Sequence, residues 1–161
     1  MGICIRYEED KEDAAALLNK GFLKILNNIG KYRKDVPFEA WIKRIMINTG
    51  IDEYRKNRKT KELVLNVDLE SMEYLNTQVT VDFNLIEDNI NVEELEFMLK
   101  SLNKELQMVF NLYEIDGFSH KEIADKLGIS ERTSKRYLST ARTTLREMLI
   151  KATVSSDSSE Y

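Results

Sequence analysis

The sequence predicts an all-α protein: two small helical domains joined by an acidic, extended linker. Three observations carry that reading. One proline and six glycines among 161 residues leave long stretches without a helix breaker. Apolar residues recur at helical spacing early and late in the chain, but only weakly in its middle. Charge divides the same way. Lys31 to Lys61 holds ten basic residues against four acidic, Glu62 to Glu96 ten acidic and none basic, and Ser119 to Lys151 eight basic against four acidic. Basic, acidic, basic describes two nucleic-acid-facing modules around a segment that DNA repels.

Bulk properties narrow the class. An apolar content of 42% allows a core, and 32% charge with a net charge of −4 describes a soluble chain without blanket affinity for nucleic acid. No apolar run approaches a membrane span, and the start lacks a basic-then-apolar leader. Cys4, the single cysteine, excludes an internal disulfide and a cysteine metal cluster, so the reducing cytoplasm is the simplest compartment. His120, the single histidine, is expected at the first turn of a helix, facing water. One His and one Cys build no nucleophile–base pair, and no glycine loop cradles phosphate. The carboxylates show no spacing suited to Mg²⁺ or Ca²⁺. No cofactor and no catalysis are expected.

In chain order, Met1 to Tyr7 reads as the tail of a helix and Glu8 to Lys11 as a charged break. Asp13 to Leu26 reads as a helix with Ala15, Leu18, Phe22, Ile25 and Leu26 inward, ended by glycine punctuation at Asn27–Gly30. Lys31 to Pro37 is a basic loop whose proline opens the next helix. From Phe38 to about Lys59, Phe38, Ile42, Ile45, Met46 and Thr49 share an inward face, while Trp41, Arg44, Asn48, Asp52 and Arg55 share the other. An aromatic ring among arginines and an amide suits an unpaired base: a surface to stack on, a cation for phosphate, an amide for a base edge. A packed Trp41 beside solvated arginines is the plain alternative.

Residues 61–91 read as an acidic, mostly irregular linker with two short β-prone pieces, Val64–Val67 and Val79–Val81. Val92 to Lys100 is helical; Leu102, Leu106, Val109, Phe110 and Tyr113 then mark an amphipathic helix closed by Asp116–Gly117. Ser119 and Glu122 have capping-box spacing, and Phe118 with Ile123 is placed for a hydrophobic staple. Gly128 supplies a left-handed stop and Ser130 caps the following helix. That helix turns Leu138, Ala141, Leu145 and Leu149 inward and Arg132, Lys135, Arg136, Ser139, Thr143 and Arg146 outward. With Thr133 beside it, this basic face fits the major groove; a solvated helical hairpin is the plain alternative. Residues 151–161 read as a disordered polar tail.

Two blocks carry a family resemblance: Phe38-x-x-Trp41-Ile-x-Arg44 continuing through Asn48, Ile51-Asp52 and Arg55, and Leu102-x-x-Glu105 followed by Val109-Phe110 and Gly117-Phe-Ser-x-Lys-Glu-Ile-Ala-x-Lys-Leu-Gly128-Ile-Ser. In this order, a linker apart, they resemble the extracytoplasmic-function sigma factors of bacterial RNA polymerase over about Ile3 to Leu149. The resemblance implies a region-two domain at 1–60 and a region-four helix-turn-helix domain at 92–150. Region two would bind the polymerase clamp, here through Asp13, Leu17, Asn19, Lys20, Phe22 and Leu23. It would hold the unpaired minus-ten strand with Trp41, Arg44, Asn48, Asp52, Arg55 and Arg58. Region four would read the minus-thirty-five element through Arg132, Thr133, Lys135, Arg136 and Ser139, and the linker would lie in polymerase channels.

Departures from the family pattern add expectations. The chain starts short of the family's usual first helical stretch, which would uncover Phe22 and Ile25. Ala15, Ala16 and Lys20 stand where the family carries carboxylates, implying weaker clamp affinity. Ser134 replaces an apolar core residue and Thr140 an arginine. The inference is a sigma subunit helped to its promoter by a DNA-targeting recruiter, of which nuclease-dead, RNA-guided CRISPR effectors are one kind, and open to control by an anti-sigma factor. The competing reading is a helix-turn-helix regulator that is not a sigma subunit.

Overall fold

In the computed structural model the backbone is described for residues 2–8, 10–65 and 92–157; residues 66–91 of the expected linker, Met1, Glu9 and the last four residues lie outside that description. Every described element is helical. Contacts divide the chain into two compact units, the first holding α1 (Gly2–Tyr7), α2 (Lys11–Asn28) and α3 (Phe38–Leu65), the second α4 (Val92–Ser101), α5 (Lys104–Phe110), α6 (His120–Leu127) and α7 (Glu131–Asp157).

In the first unit each helix packs on the other two. Asp10 starts α2 by accepting from the Asp13 N–H at 2.8 Å. The buried stripe of α2 is Ala14, Leu17, Gly21 and Ile25, not the expected Ala15, Leu18, Phe22 and Leu26. Size explains the shift. Apolar residues make up half of this helix, so spacing alone does not select a face, and the small residues let neighbouring helices approach. A Cβ on Gly21 would run into the Met46 thioether of α3. A Cβ on Gly50 would stand 3.1 Å from the Tyr7 ring, so α1 and α3 also meet across a missing side chain. Gly30 does not stop α2 by a left-handed residue; α2 passes into a 3₁₀ turn over Ile29–Lys31, and only Gly117 and Gly128 take positive φ among the described glycines. In α3 the buried residues are Met46, Ile47, Thr49, Gly50, Ile51 and Tyr54, while Phe38, expected inward, is 45% exposed.

The second unit packs α4, α5 and α6 on α7. Asn103 caps α5 by accepting from the Leu106 N–H at 2.9 Å. The expected single helix from Leu102 to Tyr113 is shorter and ends in a π turn over Asn111–Ile115, after which Gly117 at φ +74° redirects the chain. The capping box is formed: the Ser119 N–H donates to Glu122 Oε2 at 2.9 Å, and the Glu122 N–H donates to Ser119 Oγ at 3.3 Å. Gly128 stops α6 at φ +68°, and Ser130 caps α7 by accepting from the Thr133 N–H at 2.9 Å. Ile123, Leu127, Leu138, Ala141, Leu145 and Leu149 fill the core with Leu106, Val109 and Leu112. α3 continues to Leu65 and α7 to Asp157, the latter seven residues into the stretch expected to be a disordered tail. Lys151 to Asp157 holds no glycine or proline, so nothing there breaks the helix.

Candidate nucleic-acid interfaces

The first surface is built where the end of α2 meets the start of α3. Three rings cluster there. Tyr32 meets Phe38 edge-on at 5.1 Å and Trp41 at 5.3 Å, and Phe38 stacks on Trp41 at 5.8 Å. The Tyr32 hydroxyl donates to the Val36 carbonyl at 2.7 Å, which ties the basic loop to the cluster. Phe38 therefore supports Trp41 instead of filling the core. Beside the rings lies an open pocket of about 350 Å³ lined by Lys24, Asn28, Lys31, Trp41, Ile45 and Asn48. Trp41 is half-buried, partly packed and partly presented to that pocket.

The structure brings Trp41 and Asn48 together at the pocket. Arg44 and Arg55 are exposed on the same helix, and Arg58 is half-buried. Asp52 is engaged otherwise: its Oδ2 accepts from Lys24 Nζ at 2.8 Å. Lys24, Asn28 and Lys31 were not among the expected contacts. They sit on α2 and the turn after it, and no pattern within α3 pointed to them; the signal needed was the pairing of two helices.

A second surface lies on α2. Asp13, Asn19, Lys20, Phe22 and Leu23 are exposed, with Phe22 57% open. Leu26 and Ile29 extend this apolar row. Leu17, expected at the same surface, is 2% exposed and belongs to the core. Ile25, expected to lose its cover, is buried. Lys20 holds Glu53 of α3 at 2.7 Å, so the lysine in a carboxylate's place braces the unit internally.

The third surface is the outer face of α7. Arg132 and Lys135 are exposed and Ser139 is half-buried. The Thr133 hydroxyl shares a 2.8 Å hydrogen bond with Ser130 Oγ at the cap. Arg136 is half-buried, its guanidinium 5.6 Å from the Tyr137 ring centre and its Nε enclosed without a hydrogen bond among the described residues. Behind this face, Ser134 is fully buried and shares a 3.0 Å hydrogen bond with His120 Nδ1. His120 stacks on Tyr113 at 4.5 Å. The histidine expected to face water thus satisfies the hydroxyl at an apolar core position. Burial, then Lys135 and Arg142, push its pKa below the ordinary 6.5, against an opposing pull from Glu131.

The geometry defines a class: a chain of two helical units, one with a cationic, ring-walled pocket and one with a capped helix-turn-helix. Family models agree. Sigma-70 region 2 matches residues 1–60 and sigma-70 region 4 matches residues 92–145. The ECF RNA polymerase sigma factor SigE of Mycolicibacterium smegmatis is 24% identical over 149 residues, covering 92% of this chain and 56% of that protein. SigZ of Bacillus subtilis, an RNA polymerase sigma factor, is 29% identical over 138 residues, covering 83% and 70%. In fold, the sigma factor RpoE of Bartonella quintana, solved with the anti-sigma factor NepR, aligns at a TM-score of 0.55 and 21% identity over 93% of this chain and 88% of its own. The chain belongs to the extracytoplasmic-function group of sigma-70 factors. It spans just over half the length of the SigE relative.

Proposed function

We propose that this chain is an initiation subunit that binds core RNA polymerase, holds an unpaired promoter strand on its first unit and reads duplex with its second. The observation that carries the reading is the pocket walled by Trp41 between Lys24 and Lys31. Its volume falls at the lower end of ordinary small-ligand pockets. One face offers a ring for stacking and the rim offers cations for phosphate. Strand contact is assigned to Trp41, Asn48, Arg44, Arg55 and Arg58, and duplex contact to Arg132, Lys135, Arg136 and Ser139, with Thr133 at the helix cap. Asp13, Asn19, Lys20, Phe22 and Leu23 form the polymerase-facing surface. An apolar row this exposed calls for a partner.

An anti-sigma partner enters the proposal through the RpoE neighbour, which was solved with one. Delivery by a DNA-targeting recruiter, an RNA-guided CRISPR effector included, rests on the sequence departures alone. Of these, Ser134 leaves no hole, since His120 satisfies it.

Reconstituted transcription with core polymerase tests the reading. Trp41→Ala removes a stacking surface worth about 1–3 kcal/mol per base, or roughly 5- to 150-fold in strand affinity. Promoter opening, followed by permanganate reactivity of unpaired thymines, is expected to fall while duplex binding stays within about twofold. Opening undiminished by Trp41→Ala would remove the strand-capture role. Strong initiation by polymerase and this chain without any helper would remove the recruiter.

A further inference from the structure

The pocket and the α2–α3 ion pairs meet at one side chain. Lys24 lines the pocket and also holds Asp52 Oδ2 at 2.8 Å. Four residues away, Lys20 holds Glu53 at 2.7 Å, but Lys20 does not line the pocket. The two pairs span the same helices and differ in what else their lysine can reach. Side chains in the Lys24 pair are 45% and 62% exposed, and ion pairs that open to water are weak and readily exchanged. A carboxylate at the rim of a nucleic-acid pocket opposes phosphate unless a cation neutralises it.

We propose that Lys24 is a phosphate-binding residue of the pocket that Asp52 restrains. A nucleotide seated against Trp41 brings its phosphate to the Lys24 ammonium, and the phosphate displaces the Asp52 carboxylate, which turns to solvent. Asp52 then acts as a positioning residue: it orients Lys24 towards the rim in the free protein and competes with the strand for it. This differs from a direct base contact by Asp52, which would make the carboxylate favourable to binding. The proposal rests on the strand-capture reading of the pocket.

The test is fluorescence anisotropy of a short, labelled single-stranded oligodeoxynucleotide with the full chain, across a salt series. Asp52→Asn is expected to tighten binding about two- to fivefold, the value of a released surface ion pair. Lys24 reaches the phosphate in both proteins, so Asp52→Asn should leave the salt slope unchanged, whereas Lys24→Ala should flatten it by roughly 0.7, one phosphate contact fewer on a single strand. Lys24→Ala should weaken binding, and Asp52→Asn should add nothing in the Lys24→Ala background. Glu53→Gln removes the same charge next door, from a lysine that does not line the pocket, and should leave the affinity unchanged, which separates local competition from net charge. Weaker or unchanged binding by Asp52→Asn overturns the proposal, and so does a gain that survives Lys24→Ala. Trp41→Ala keeps the two readings apart. If it abolishes binding while Asp52→Asn has no effect, only the restraint fails. If wild type and Trp41→Ala bind the strand equally, the capture pocket fails with it.

Discussion

The two units are held in different ways. In the first, the decisive contacts join helices distant in sequence: Gly21 receives Met46, Gly50 receives Tyr7, and Lys20 and Lys24 reach Glu53 and Asp52. In the second, the helix ends are fixed by neighbours: Asn103 caps α5, Ser119 and Glu122 box α6, Gly128 stops it, and Ser130 caps α7. The first unit therefore depends on fit between helices, and the second on punctuation within them. The difference suits the proposed labour. A pocket between helices needs their relative placement, whereas a helix laid on duplex needs its start and its direction.

The sharpest test of that contrast sits within α2. Leu17→Ala removes a buried side chain, and such truncations cost about 2–5 kcal/mol. Phe22→Ala, one turn away and 57% exposed, is expected to change stability by less than about 0.5 kcal/mol. Urea unfolding followed by circular dichroism separates them. Polymerase pull-down should show the converse for Phe22→Ala: a folded protein with weakened binding. Equal destabilisation by both changes would mean that the exposed row belongs to the core.

The same contrast explains what could be read from the sequence. Ser119, Glu122, Gly128 and Ser130 act within a few residues of themselves, so the helix-turn-helix was legible residue by residue. The inward face of α2 was not, because Phe22, Leu23 and Leu26 are as apolar as Leu17 and Ile25; what turns Ala14 and Gly21 inward is how closely other helices approach. Phe38 was misassigned for a similar reason. Its ring is taken up by Tyr32 and Trp41 in a cluster that helical spacing does not describe. The site followed suit. Trp41 and Asn48 were visible on one helix, while Lys24, Asn28 and Lys31 needed a second helix beside it.

A smaller effect probes the punctuation itself. Gly128→Ala forces a left-handed backbone on a residue with a Cβ, at about 1–2 kcal/mol. Ser119→Ala removes the cap half of the box, at about 0.5–2 kcal/mol. Thermal unfolding should register both as lost stability. If neither lowers the unfolding midpoint, the local signals are not what fixes α6.

The smallest expected effect concerns a place where the second unit also relies on a distant pair. His120 and Ser134 lie fourteen residues apart and share a 3.0 Å hydrogen bond. The fold favours neutral imidazole, because burial comes first and the Lys135 and Arg142 charges add to it, with Glu131 opposing. The unfolded chain holds this histidine near its ordinary 6.5. Above that pH both states are neutral, and His120 adds no pH dependence. Below it the unfolded state takes up the proton first, so stability declines as pH falls towards the lowered folded pKa. His120→Gln removes the titrating group, and its stability should vary less with pH than wild type between about pH 7.5 and about pH 5. Urea midpoints at the two pH values measure the difference. An acid loss of the same size in both proteins would place the sensitivity outside this histidine.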